Sequence, residues 1–284
     1  MLGKLNIIRL ILKLGDIRMA TYFDEDNLKK LAKENNKTYQ SASPFPYIAI
    51  DNIAIPSKLK QVVDDFPAPD QFKFYKYENP LEKKLAFDQL SKLPLSIAAI
   101  LREMNDPIFL SFLETLTGID GLIPDPYYRG GGIHQIERGG KLDIHIDFNC
   151  HPKIKLERRL NVLIYLNEDW KSDYGGYFEL WKGYQKEGKH YLETCEEKIS
   201  PIFNRFVCFN TSEKSYHGHP HRLQCPDGRS RKSLATYYYT VDRPEEEKVD
   251  AHSTTFIKHP DEEADSQLDS LREKRNKGRL NTTI

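Results

Sequence analysis

Cysteine is scarce in this chain, neither charge is in excess, and no apolar run is long and clean enough to cross a membrane. Each shortage removes a class of protein. The four cysteines, Cys150, Cys195, Cys208 and Cys225, contain no C-x-x-C pair and are too few to form a disulfide framework for 284 residues. Cys208, inside "RFVCFN", reads as a small core hydrophobe. A reducing, cytoplasmic setting is therefore expected. Lys+Arg and Asp+Glu both number 42, so the net charge is zero and no nucleic-acid partner is expected. The N-terminal "MLGKLNIIRLILKLGDIRMA" is broken by Arg9 and Lys13, short of the ~20 apolar residues of a span. No small-x-small cleavage site follows it. Ile7, Ile8, Ile11 and Leu12 share one helical face, which suits a docked helix or a loose extension better than a membrane-surface anchor. Internal repeats are absent too.

What is present suits a single large domain. Hydrophobic residues make up 39% of the chain, enough for a sizeable core, and 16 Tyr with 14 Phe favour strands. Residues 1–44 read as an N-terminal extension and a polar, Asn/Lys-rich linker with some helix. Residues 45–126 read as mixed, mainly helical support: a strand in "PFPYIAIDNIAI", a helix starting at Pro56, then helices interrupted at Pro94 and Pro107 and closed by Gly118. From Tyr127 the texture changes to short strand-like runs separated by Gly, Asn and Asp. They are "IHQIE", "LDIHIDF", "RLNVLIYLN", "GYFELW", "HYLETCEEKI", "RFVCFN", "YHGHPHRL" and "SLATYYYTV", ending near 243. Eight such runs predict two packed sheets, a jelly roll on an α+β plan. The domain closes at 260, and 261–284 is a polar tail, read as a solvated helix or a disordered segment.

In "LDIHIDFN", alternation puts Leu142, Ile144, Ile146 and Phe148 on one face of a strand and Asp143, His145 and Asp147 on the other. Two carboxylates flanking an imidazole are more than a solvated face needs. His145 and Asp147 leave the same face and can offer two ligands to one metal. "SYHGHPHRL" supplies a third from His217, His219 or His221. Two His and a carboxylate on one octahedral face leave three positions open, as in non-haem Fe(II) oxygenases. Arg231, Ser233, Ala235 and Tyr237 share a face of "RKSLATYYYTV", where an Arg fork can take a carboxylate with room beside it. Tyr165 has the parity to reach the same space. A lone H-x-D is more often a surface pair. His134, His151, His190, His252 and His259 read as surface or core-rim residues, and Tyr237 to Tyr239 as packing.

From about Ile133 to Val241 the chain resembles the 2-oxoglutarate/Fe(II)-dependent dioxygenase superfamily, in its prolyl-hydroxylase-like branch. The motifs that carry this are "HID", "LIYLNEDWKSDYGGYFELW", "FNRFVCFNTSEKSYH" and "RKSLATYYY". The resemblance implies a double-stranded β-helix with supporting N-terminal helices. It implies His145, Asp147 and His217 as metal ligands, and Arg231 with Tyr165 binding 2-oxoglutarate. It also implies Fe(II), dioxygen and ascorbate as an auxiliary reductant. In that family the basic residue follows the distal His by about ten positions, a count that from Arg231 lands on His221. The approach "NRFVCFN…SYH" favours His217, with "CPDGRS" as an inserted turn, and His219 and His221 remain alternatives.

The expected reaction is hydroxylation of an unactivated C–H bond, with a prolyl group in a peptide or free as first choice of substrate. A small molecule such as a sugar or lipid headgroup is the alternative. A metal-binding jelly-roll module without oxygenase chemistry, or a zinc hydrolase on the same barrel, would be told apart by its metal. "PDPYYRGGG" reads as a lid or substrate edge, its glycines giving mobility.

Overall fold

A computed structural model describes residues 21–277. The helical face expected at Ile7–Leu12 and the last residues of the polar tail lie outside that range. Among the described residues no helix is long and apolar enough to cross a membrane.

The helices form where their end signals fall. α1 (Glu25–Gln40) is capped by Asp24, whose carboxylate accepts from the Asn27 amide at 2.7 Å. α2 (Pro56–Asp64) and α4 (Pro107–Thr117) carry Pro in the first turn, and α3 (Leu95–Glu103) follows Pro94. α4 stops at Gly118, in the left-handed region at φ 75°. The segment expected as a polar linker is thus, from residue 25, an ordered helix. Its Leu28, Ala32 and Tyr39 are buried, and the Tyr39 hydroxyl bonds Asn210 at 2.6 Å. Its apolar positions are few, but they recur at helical spacing.

β1 (Tyr47–Asp51) leads into a hairpin of β2 (Tyr75–Asn79) and β3 (Glu82–Phe87), and β4 (Ile123–Pro124) precedes the barrel strands. These are β5 (Gly132–Glu137), β6 (Lys141–Ile146), β7 (Glu157–Tyr165), β8 (Phe178–Lys186), β9 (Lys189–Ile199), β10 (Arg205–Asn210), β11 (Tyr216–His219) and β12 (Ser230–Thr240). β13 (Thr255–Phe256) and α5 (Ser266–Asn276) follow. The neighbour order is β1-β10-β7-β12-β5-β3-β6-β11-β8-β9, with every strand pairing antiparallel. The sheet curls into a nearly closed, barrel-like jelly roll, the double-stranded β-helix expected. The β2–β3 hairpin was not expected. β3 pairs β5 through Leu85–Phe87 and β6 through Glu82–Lys83, and so bridges the two halves.

The long β7 and β12 are buried on both faces, which explains their continuous apolar character. Leu160, Val162, Ile164, Leu234 and Tyr238 meet the helices in one core. Leu163, Tyr165, Ala235, Tyr237 and Tyr239 face the other sheet in a second. Alternation assigns these residues a layer, with Tyr165 on the inner one, until the β7–β12 register shifts between Tyr238 and Tyr239 and turns Arg158 inward as well.

Candidate metal and co-substrate site

A cavity of about 200 Å³ opens between the two sheets, lined from β3, β5, β6, β7, β8, β11 and β12. His145 lies on β6 and Asp147 just past its end. The antiparallel pairing sets His217 of β11 directly opposite His145. His145 Nε2 is 3.7 Å from Asp147 Oδ1, and His217 Nε2 is 3.4 Å from Asp147 Oδ2. One ligand atom from each of the three residues lies within 4.8 Å of the others. Cis donors on an octahedral ion with bonds near 2.1 Å sit about 3 Å apart, so small side-chain adjustments would close the set.

The surroundings fix how these groups present themselves. The His145 Nδ1 bonds the Asp143 carbonyl and the His217 Nδ1 the Ser215 carbonyl, both at 2.8 Å. Each carbonyl requires an Nδ1–H and leaves Nε2 as a bare lone pair facing the carboxylate. Burial lowers both imidazoles, His217 to about 3, and so keeps them neutral. Burial alone would raise Asp147. The Arg158 guanidinium, with the Asn161 amide, outweighs it and holds the carboxyl below its usual range. The Arg158 Nη2 and Asn161 Nδ2 both donate to Oδ2 at 2.9 Å, which leaves Oδ1 unshared. Two neutral imidazoles and an ionised carboxylate on one side of an open cavity fit a divalent metal with free coordination positions.

Arg231 reaches the cavity from β12. Its Nε donates to the Gly176 carbonyl at 2.8 Å and its Nη2 to the Tyr165 hydroxyl at 2.9 Å. The "YLNEDWKSDYGG" motif builds this cradle. Asn167 stitches β7 to β12 through Lys232, Trp170 bonds the Gly175 carbonyl at 3.0 Å, and Gly176 (φ 72°) lies so close that a Cβ would meet Arg231 Cδ at 3.1 Å. All five residues singled out in the sequence are thus brought to one place, with Tyr165 buried behind Arg231.

The distal histidines separate. His217 joins His145 and Asp147. His219 is buried, lines the cavity and has no hydrogen-bond partner on either ring nitrogen. The His221 side chain is 66% exposed and lies 3.6 Å from Glu179, outside the cavity. Leu223 and Cys225, the latter the first residue of "CPDGRS", are buried against Trp170 and Tyr174.

Several readings need correction. Leu142 and Phe148 line the cavity instead of the opposite core, because the β6–β11 register shifts between His217 and His219 and β6 ends at Ile146. Asp143 turns away to Lys141 at 2.6 Å. His151 is fully buried beside Asp125 and so belongs to neither surface nor core rim, whereas His134 is half-buried at the edge of the cavity, as a core-rim residue would be. The glycines of "PDPYYRGGG" serve close packing, not mobility. A Cβ on Gly131 would lie 2.6 Å from the Ala235 carbonyl and one on Gly132 2.2 Å from that of Phe87. Asp125 pins the loop further by accepting from the Tyr127 and Arg129 amides at 2.8 and 2.7 Å.

Sequence reasoning missed Arg158, whose guanidinium stacks 3.6 Å from the Tyr237 ring. Alternation gave no signal for it: seven residues before Tyr165, Arg158 belongs by parity to the opposite face, and it reaches the cavity where the β7–β12 register shifts between Tyr238 and Tyr239. Arg275 of α5 also lines the cavity and bonds Glu82 of β3, which nothing in the tail's composition announced.

Residues 131–239 match the family model described as the 2OG-Fe(II) oxygenase superfamily. A search of curated proteins finds no match. Among solved structures, a prolyl hydroxylase from Trichoplax adhaerens, in complex with a hypoxia inducible factor peptide, is similar with a TM-score of 0.51 and 20% identity, over 75% of this chain and 92% of that one. A structure of prolyl 4-hydroxylases from Phytophthora capsici gives 0.51 and 18%, over 82% of this chain and 72% of that one. Over its barrel, then, the chain is similar to the 2OG-Fe(II) oxygenase superfamily, and it shares its fold with these two structures.

Proposed function

We propose that the chain hydroxylates an unactivated C–H bond in a prolyl-hydroxylase-like reaction, with His145, Asp147 and His217 holding Fe(II) and Arg231 clamping the distal carboxylate of 2-oxoglutarate. The observation that carries this is the convergence of the three donor groups at a cavity that also contains a buried guanidinium. When bound there, iron and 2-oxoglutarate supply the oxidising power for the reaction.

The residues of the chain do the rest. The Asp143 and Ser215 carbonyls hold the two imidazoles in the ligating tautomer. Arg158 and Asn161 keep Asp147 ionised and hold one of its oxygens, so that the other is presented to the cavity. Tyr165 and the Gly176 carbonyl fix Arg231 before any ligand arrives, so little ordering entropy is lost on binding. Leu142, Phe148, Leu163 and Phe178 give the cavity its apolar wall and restrict water.

The prolyl reading rests on the sequence motifs of that branch, and the two structures named above are described as prolyl hydroxylases. A small-molecule substrate is the second reading. It is favoured by the C-terminal segment, whose Thr254, Phe256 and Arg275 line the same cavity and enclose it further. The test is a screen of proline-containing peptides, free proline and small polar metabolites, reading succinate and product mass together. The expected result is succinate formed in step with one added oxygen on a prolyl group. Oxygen added only to a small molecule would establish the second reading, and no coupled succinate with any compound would refute the first.

A further inference from the structure

His219 is the polar side chain of the cavity left without work. It is only 3% exposed, and neither ring nitrogen has a hydrogen-bond partner among the described residues. A buried imidazole is stable in that state only if something outside the chain completes its bonding. The titratable groups that bear on it are Arg231, Lys84, His145 and His134, none of them a carboxylate. The carboxylates that line the cavity are engaged elsewhere: Asp147 with Arg158 and Asn161, Glu82 with Arg275 and Lys84. An oxygen acceptor carried in by a ligand would complete its bonding.

Arg231 says which one. A guanidinium can take a carboxylate bidentately along its Nε/Nη2 edge or across its two Nη nitrogens. Here the Nε/Nη2 edge is engaged by the Gly176 carbonyl and the Tyr165 hydroxyl, and the Nη1 end is what remains for a ligand. A carboxylate held at that end has lone pairs to spare, and an imidazole N–H beside it supplies a second donor.

We propose that His219 is a co-substrate-binding residue that donates a hydrogen bond to the distal carboxylate of 2-oxoglutarate beside Arg231. This rests on the oxygenase reading above and adds to it a residue that the sequence weighed only as an alternative metal ligand.

The experiment titrates two keto acids into Fe(II)-loaded protein under nitrogen, following the visible band of the iron–keto acid chelate. 2-Oxoglutarate carries the distal carboxylate, whereas 2-oxobutyrate has the same chelating end without it. His219→Leu should bind 2-oxoglutarate about tenfold more weakly, the loss of one buried hydrogen bond, and 2-oxobutyrate as the wild type does. His219→Gln, which keeps an N–H donor, should recover most of the loss. Iron content and thermal unfolding of each variant confirm that the fold and the metal site are intact. An equal loss for both keto acids, or no loss for either, overturns the assignment while leaving the oxygenase reading in place. A wild type that gives no band with either keto acid overturns that reading and this inference with it.

Discussion

Arg158→Met tests whether Asp147 is held ready as an ion. The substitution keeps an unbranched apolar stem between Phe148 and Tyr237 and removes the charge that meets Asp147 at 2.9 Å. The carboxylate stays 92% buried with Asn161 as its remaining neutral donor. Removing one partner of a buried ion pair costs about 3–5 kcal/mol, because the other charge is left uncompensated. For a domain of this size each kcal/mol shifts Tm by about 2–4 °C, so the metal-free variant should melt roughly 6–20 °C below the wild type. A divalent ion supplies the missing positive charge at the same carboxylate. Saturating Mn(II) should therefore raise the variant's Tm more than it raises that of the wild type. Adding Asp147→Asn to the variant removes the stranded charge, and the double variant should melt above Arg158→Met without metal. The assay is calorimetry of the three proteins with and without Mn(II). A metal-free Arg158→Met within 2 °C of the wild type, or a double variant less stable than the single one, would refute the reasoning.

Three further expectations follow from the same geometry. Alanine at His145, Asp147 or His217 should abolish tight Fe(II) binding and alanine at His221 should not, as measured by iron content after anaerobic loading; a metal-free His221→Ala would return the distal ligand to the ten-residue spacing. Arg231→Leu should keep iron yet weaken 2-oxoglutarate by tenfold to a thousandfold, since losing a charge-assisted pair costs about 1.5–4 kcal/mol. Arg231→Lys should fall between, and unchanged affinity in the leucine variant would remove the co-substrate role. His252 and Glu213 form an ion pair at 2.7 Å. Burial works against the imidazolium, but the Glu213 bond outweighs it and raises His252, while His252 lowers Glu213 against the opposing effect of burial. The His252 contribution is then complete below its unfolded pKa of about 6.5 and fades as pH rises through the folded value. The Glu213 contribution is present above about 4.5 and is lost as pH falls through its depressed value. Glu213→Gln should flatten the stability profile on the alkaline side of 6.5, and an unchanged slope there in denaturant melts would show that the pair contributes nothing.

What the sequence by itself determined is whatever depends on local order along the chain. Period-two alternation put Ala235 and Tyr237 on the inner face of β12 and Leu234 and Tyr238 against the helices. Proline and glycine marked the ends of α2 and α4. H-x-D on one strand and a histidine cluster some seventy residues later implied a metal site, because two ligands on one face need a third from a neighbouring strand. The tertiary structure alone decided what depends on register and on distant segments. Spacing by two does not itself rank three histidines, and it was only the approach "NRFVCFN…SYH" that favoured His217. The pairing of His217 with His145, and the register shift just after it, make His217 face Asp147, leave His219 inside without a partner and put His221 in solvent. Arg158 stands at the start of a strand eleven residues past Asp147, where sequence distance says nothing about a 2.9 Å contact. Arg275 comes to Glu82 from 193 residues away. A strand pattern fixes which way a side chain points; what it meets there is set by the strands that fold in opposite it.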